Sequence, residues 1–216
     1  MNIAITAAHA LEFSTFRRYM GRVHKLPLDG WAYYLWQHQG NQVILLETGI
    51  GPEKAEGAFQ HLLKAYRIDC TINFGSAGMI SRDYRVGDAF LAVEIADVTG
   101  RGLLKTDPAM TEAIGAFLSG EQIPFHRGRL ATSPEPVVKC SHRLRLAQQF
   151  EVGAVDMEAY ALCRLALEKG VPFASLKMIS DRANAMTRLE FWKNLPHIER
   201  TLGKLMYGFL EYLKAA

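Results

Sequence analysis

The sequence predicts an α/β sandwich with a largely buried, mixed β-sheet, and three observations carry that prediction. Short apolar runs of strand length alternate with longer runs of helical spacing along the 216 residues, as expected for a sheet covered by helices. Two early runs flank His38-Gln39-Gly40-Asn41, a hairpin signal that makes the sheet mixed rather than purely parallel. Four strand-like runs end in polar or glycine-rich segments, where α/β sheets collect ligands.

In chain order, residues 2–6 read as a buried strand and residues 10–20 as a helix closed by Gly21. Residues 31–37 and 42–48, aromatic and β-branched, are the hairpin strands. Gly49-Ile50-Gly51-Pro52 interrupts the pattern, and Pro52 fits the first turn of a helix over residues 53–66. Ala55, Ala58, Phe59, Leu62 and Leu63 recur there at helical spacing. Residues 70–74 are a strand ending in Gly75-Ser76-Ala77-Gly78, read as a tight turn. A strand over 88–95, a helix over 107–118, a short strand over 129–132 and a helix over 138–150 follow. Gly153-Ala154-Val155 leads into a helix-like run over 157–169, and the apolar run 172–179 ends near Asp181. The last helix covers residues 195–213, with Ile198, Leu202, Leu205, Phe209 and Leu213 on one face. No Pro/Gly/Ser-rich stretch, charge block or repeat divides the chain, so one domain over residues 1–216 is expected.

An apolar fraction of 49% and a charged fraction of 22% are those of a globular protein and exclude disorder. A net charge of +3, scattered along the chain, gives no footprint for nucleic acid or a membrane surface. The three cysteines, Cys70, Cys140 and Cys163, lack metal-ligand spacing, and their odd number argues against a disulfide framework. Cys70 and Cys163 lie in apolar runs and are expected to be core thiols. The first residues lack the basic region of a signal peptide, and no apolar run is long enough to span a bilayer. The expectation is a cytoplasmic protein.

The chemistry is expected where acidic residues interrupt apolar runs. Asp156 and Glu158 lie between a short apolar run and a helix, and Asp181 ends another apolar run. Carboxylates so placed are costly unless they are paired, hydrogen-bonded or used. Each also has a plain structural reading. Glu12 suits the first turns of a helix, Asp156 suits a helix N-cap, and Asp181 suits a cap or an ion pair. Gly49-Ile50-Gly51 can present N–H groups to an anion or simply turn the chain. His9 and His38 read as ordinary polar residues. No Gly-x-x-x-x-Gly-Lys-Ser/Thr pattern is present, which argues against a P-loop nucleotidase.

The combination is more specific than its parts. Ala10-Leu11-Glu12 after a strand, Thr48-Gly49-Ile50-Gly51, and Ile72-Asn73-Phe74-Gly75-Ser76-Ala77-Gly78 are followed by Val86-Gly87-Asp88 and Ala96-Asp97-Val98-Thr99. Val155-Asp156-Met157-Glu158-Ala159 and Ile179-Ser180-Asp181 complete the series. In this order the chain resembles the nucleoside phosphorylase/nucleosidase superfamily, and within it the methylthioadenosine/S-adenosylhomocysteine nucleosidases. The resemblance implies a three-layer α/β sandwich around a twisted mixed sheet and cleavage of a purine N-ribosidic bond. It implies no metal or cofactor, a small-molecule purine nucleoside as substrate, and a homodimer.

By the same resemblance, Asp181 matches the acid that hydrogen-bonds or protonates purine N7, and Glu12 the base for the attacking water. Glu158 matches the group that grips the ribose hydroxyls, where a carboxylate accepts two hydrogen bonds. Met157 matches a residue packed on the sugar. Ser76, Ala77 and Gly78 lie in the loop near the water, and Val137, Asp156 and Phe191 complete the substrate-binding set. Asp156 doubles as a cap or support. Phosphorylases of the superfamily resemble one another in a Gly-Asp-Pro segment and a loop arginine that hold phosphate. This chain has Ala7-Ala8-His9-Ala10 and Asn73-Phe74-Gly75-Ser76 there, without the cation, which favours hydrolysis. Asp156, where the methylthioadenosine branch has Glu, and Val137, where it has an aromatic residue, resemble futalosine hydrolases and adenosylhopane nucleosidases instead. Tyr160, Phe191 and Trp192 are candidates for an apolar tail pocket. A phosphorylase with a divergent phosphate site and a non-catalytic nucleoside-binding protein remain as other readings.

Overall fold

A computed structural model describes residues 1–21, 23–28 and 30–215. The strands are β1 (Asn2–Ala7), β2 (His24–Leu28), β3 (Trp31–His38), β4 (Asn41–Glu47), β5 (Cys70–Met79), β6 (Ala89–Asp97), β7 (Gly102–Lys105), β8 (Phe125–Thr132), β9 (Ala154–Asp156) and β10 (Phe173–Asp181). The helices are α1 (Ser14–Met20), α2 (Pro52–Ala65), α3 (Pro108–Gly120), α4 (Cys140–Phe150), α5 (Ala159–Glu168) and α6 (Thr187–Ala215), and a 3-10 turn (Ala10–Phe13) precedes α1.

The strands form one mixed sheet with two parts. β5, β10, β6, β8 and β9 each pair with two others of the set and close into a small barrel. From β5 an open wing extends through β1, β4, β3 and β2. Successive side chains of a strand point to opposite faces, so Ile3, Ile5, Val43 and Leu45 pack under α1, α3 and α6. Their neighbours Ala4, Ile44 and Leu46 pack under α2 and α5. Helices on both faces of a buried sheet make the expected three layers. α4 covers the rim of the barrel through Leu146 and its neighbours Val152 and Val155.

The expected hairpin is present: β3 and β4 pair antiparallel from Ala32↔Glu47 to His38↔Asn41, and Gln39 and Gly40 turn with positive φ. Four differences from the sequence reading have physical causes. Gly75-Ser76-Ala77-Gly78 is not a turn; β5 runs through it and carries the chain from the wing into the barrel. Pairing with β10 on one side and β9 beyond it satisfies the backbone there, and glycines in a strand permit close approach by other groups. β2 and β7 carry no apolar signal: β2 is an edge strand containing Pro27, and β7 is largely exposed. The segment 10–20 divides into the 3-10 turn and α1. The last helix begins at Thr187, eight residues before the expected start at residue 195, and passes through Pro196; the missing proline N–H leaves only one helical bond unmade.

Candidate active site

The ends of β1, β5, β9 and β10, the β4–α2 loop and the start of α6 surround a cleft of about 510 Å³. Four buried carboxylates, Glu12, Asp156, Glu158 and Asp181, line it together with one buried cation, Lys177. The sequence-selected residues Ser76, Ala77, Gly78, Val137, Met157 and Phe191 line the same cleft. Four strand ends dispersed in sequence therefore converge on one place.

Glu12 sits on the 3-10 turn and is only 2% exposed. Its Oε1 accepts from the Ser76 N–H at 2.8 Å and the Ser76 hydroxyl at 2.9 Å. Its Oε2 accepts from the His9 N–H at 3.2 Å. A Cβ on Gly75 would lie 3.2 Å from Glu12 Oε1 and 3.5 Å from Lys177 Nζ. Glycine at 75 thus admits both charged groups to the strand.

At the other end, Asp181 Oδ1 accepts from the Ala183 N–H and the Thr187 hydroxyl, each at 2.9 Å, and Oδ2 from the Ser180 hydroxyl at 2.7 Å. Two of these three partners are hydroxyls, which can donate or accept. A Cβ on Gly78 would approach Asp181 Oδ1 to 3.2 Å, a second close approach that a side chain would crowd.

Asp156 is held by three groups: the Lys177 ammonium at 2.8 Å, the Thr132 hydroxyl at 2.7 Å and the Ala159 N–H at 3.0 Å. The last contact satisfies the first N–H of α5, although the N-cap residue of that helix is Glu158 and not Asp156. Glu158 Oε1 accepts from the Gly51 N–H at 2.9 Å, and Oε2 from the Met157 N–H at 3.3 Å. Gly51 has φ +100°, a conformation that favours glycine. The anion that this glycine loop holds is the protein's own Glu158. Burial, then the neighbouring Asp156, push the Glu158 carboxyl up to about 8, against the pull of Lys177 and the Gly51 bond. Burial pulls the Lys177 ammonium down, but Asp156, Glu158 and Glu12 outweigh it and the net shift is upward.

Lys177 escaped the sequence reading. The signal was a lysine inside the apolar run 172–179, a side chain almost never buried without a partner. The two positions where the superfamily's phosphorylases hold phosphate carry no cation here, but β10 supplies one at a third place, engaged by Asp156. His9 also lines the cleft, contrary to its reading as an ordinary polar residue. Tyr160 does not belong to the cleft wall; it is buried among the apolar residues of α5 and α2. Phe191 and Trp192 do line it, edge to face at 5.4 Å. Cys70, Cys140 and Cys163 are free thiols; burial raises Cys70 to about 11 and Cys163 to about 12. Among the described residues no helix is long and apolar enough to cross a membrane.

The closed barrel with its open wing is a nucleoside phosphorylase-like fold, and the chain belongs to the phosphorylase superfamily, whose family model matches residues 2–211. Among individual relatives, it is 28% identical to the 5'-methylthioadenosine/S-adenosylhomocysteine nucleosidase of Actinobacillus succinogenes, over 99% of this chain and 100% of that one. The nucleosidase of the same name from S. pneumoniae, solved with a transition-state inhibitor, superimposes with a TM-score of 0.91 at 25% identity, covering 99% of this chain and 100% of that one. Futalosine hydrolase of Helicobacter pylori shares the fold with a TM-score of 0.93 at 18% identity, covering 98% of this chain and 97% of that one.

Proposed function

We propose that the protein hydrolyses the N-ribosidic bond of purine nucleosides, releasing adenine from nucleosides of the methylthioadenosine/S-adenosylhomocysteine type. The observation that carries this reading is the gathering of Glu12, Glu158 and Asp181, three carboxylates distant in sequence, around one cleft of nucleoside size. The relatives' activity supports the same reading.

Asp181 donates a proton or hydrogen bond to purine N7, so that the base leaves neutral. Glu158 and Met157 hold the ribose. Glu12, with three donors on its carboxylate, keeps acceptor capacity for one water and takes that water's proton as it attacks C1′. The sugar passes through an oxocarbenium-like state, as in other glycoside hydrolyses. The Glu12 carboxylate, which is not paired with the buried Lys177, favours positive charge on the sugar. The same charge opposes phosphate, because Lys177 is already paired with Asp156. Water is therefore the acceptor. Base release in phosphate-free buffer, measured on methylthioadenosine, S-adenosylhomocysteine, adenosine, inosine, futalosine and aminofutalosine, tests the reading. Adenine from the first two, at a rate that added phosphate does not change, is expected. Absolute dependence on phosphate would make the protein a phosphorylase, and no base from any nucleoside would leave a binding protein.

A second reading, a futalosine or adenosylhopane nucleosidase, is favoured by Val137 in the cleft wall, where stacking by an aromatic side chain is absent. Hypoxanthine released from futalosine alone would establish it. We also place the chain in a homodimer. Ile50, Val138 and Trp192 at the cleft are 52%, 44% and 50% exposed, the kind of apolar patch that a second subunit covers. Sedimentation of the protein as a monomer at micromolar concentration would remove that part of the reading.

A further inference from the structure

His9 stands at the root of Glu12. Its imidazole Nδ1 accepts from the Leu11 N–H at 3.1 Å, and its backbone N–H donates to Glu12 Oε2 at 3.2 Å. The Glu12 N–H closes the turn onto the His9 carbonyl at 2.9 Å. The two residues cap one turn from both sides, a capping box with histidine in the place of serine or threonine. Because Nδ1 accepts, the ring proton resides on Nε2. The ring meets the Trp192 side chain edge-on, with centroids 6.4 Å apart and planes at 88°.

Most helix caps hold a helix that its own packing also holds. This turn has four residues; Phe13 anchors its end in the core, whereas Leu11, next to Glu12, is 41% exposed. Its carboxylate therefore has two anchors outside itself, Ser76 on β5 and the capped turn. α6 braces both ends of the cleft: Thr187 bonds Asp181, and Trp192, five residues or about 7.5 Å further along the helix, meets His9.

We propose that His9 is a positioning residue for Glu12: its neutral imidazole, capped onto Leu11 and braced by Trp192, fixes the orientation in which the Glu12 carboxylate activates water. This rests on the reading of Glu12 as the base. The residue acts on turnover and not on nucleoside affinity, since it holds the turn and Trp192 and not the groups assigned to ribose or purine.

The experiment compares H9L, which removes the acceptor, with H9N, whose short side chain is among the best N-caps. Initial rates of adenine release from the best wild-type substrate are split into kcat and KM, and melting is followed by circular dichroism. H9L is expected to lose about 10- to 100-fold in kcat, the scale of a base misplaced by up to about an ångström, with KM within about twofold. H9N is expected to recover to within about threefold of wild type, and W192A to fall between them. If H9L fails to fold, H9Q, whose amide is one methylene too long to cap in the same way, replaces it against H9N. Unchanged kcat in the acceptor-lacking variant overturns the proposal. So does equal loss in H9N, or a rise in KM at constant kcat, which would make His9 a substrate contact. A wild-type protein that releases no base overturns the hydrolase reading and this proposal with it.

Discussion

Asp156 and Asp181 both end strands of the barrel and are both 5% exposed, yet they are built into the protein differently. Asp156 faces a buried ammonium, a hydroxyl and a helix N–H, which use its acceptor capacity within the protein. Asp181 faces two hydroxyls and one N–H and is held by no cation. An ammonium paired with a carboxylate takes up its acceptor capacity, which suits a support. Among the described residues the buried cation of the cleft, Lys177, thus goes to Asp156, and Asp181, which we propose as the acid, is left to hydroxyls and an N–H.

That contrast can be broken by substitution. The largest effect is expected from D181N, which keeps the shape and most hydrogen bonds but cannot donate a carboxylic proton; kcat should fall about 10³- to 10⁴-fold with little change in melting temperature. Near-wild-type turnover would remove Asp181 from the chemistry. E12Q should lose about 10²- to 10³-fold in kcat, and a loss confined to KM would place Glu12 in binding instead. Next in size is K177M. It leaves Asp156 buried without its cation, and breaking such a pair costs about 3–5 kcal/mol of stability, read by chemical denaturation. K177M/D156N should recover much of that loss, whereas an equally unstable double variant would show that the pair matters for packing alone.

The last effect, read as a slope against pH, concerns Glu158. Its carboxyl rises from 4.5 to about 8 on folding, so the folded state holds the proton more tightly. The contribution is fully present below about pH 4.5 and is lost as pH rises through about 8. Wild-type melting temperature should therefore decline over that window more steeply than that of E158Q, which has no carboxyl to titrate. Parallel curves would mean that Glu158 does not carry the shift.

The strands and helices were legible because burial on a pleated strand or a helix face leaves a local period in the sequence. The hairpin around Gln39-Gly40 and the stripe Ala55, Ala58, Phe59 and Leu62 were found within a residue or two of their observed bounds. β2 and β7 left no such trace, being edge or exposed strands whose pairing partners, not their own side chains, define them. The continuation of β5 through Gly75–Gly78 was missed for a related reason. Glycine marks both a turn and a strand that other groups approach closely, and only the neighbouring β10 and β9 distinguish the two.

The candidate site divides in the same way. Glu12, Asp156, Glu158 and Asp181 were identified by residue type, since a carboxylate at the edge of an apolar run needs a reason to be there. Their partners were not: Lys177 with Asp156, Ser76 with Glu12 and Gly51 with Glu158 are separated by 21, 64 and 107 residues. Local chemistry along the chain decided which residues carry charge and where the backbone turns. Closure of the barrel decided which carboxylate receives the cation. The reason is physical: periodicity and propensity act over a few residues, whereas the energy of a buried charge depends on whatever the fold brings within a few ångströms of it.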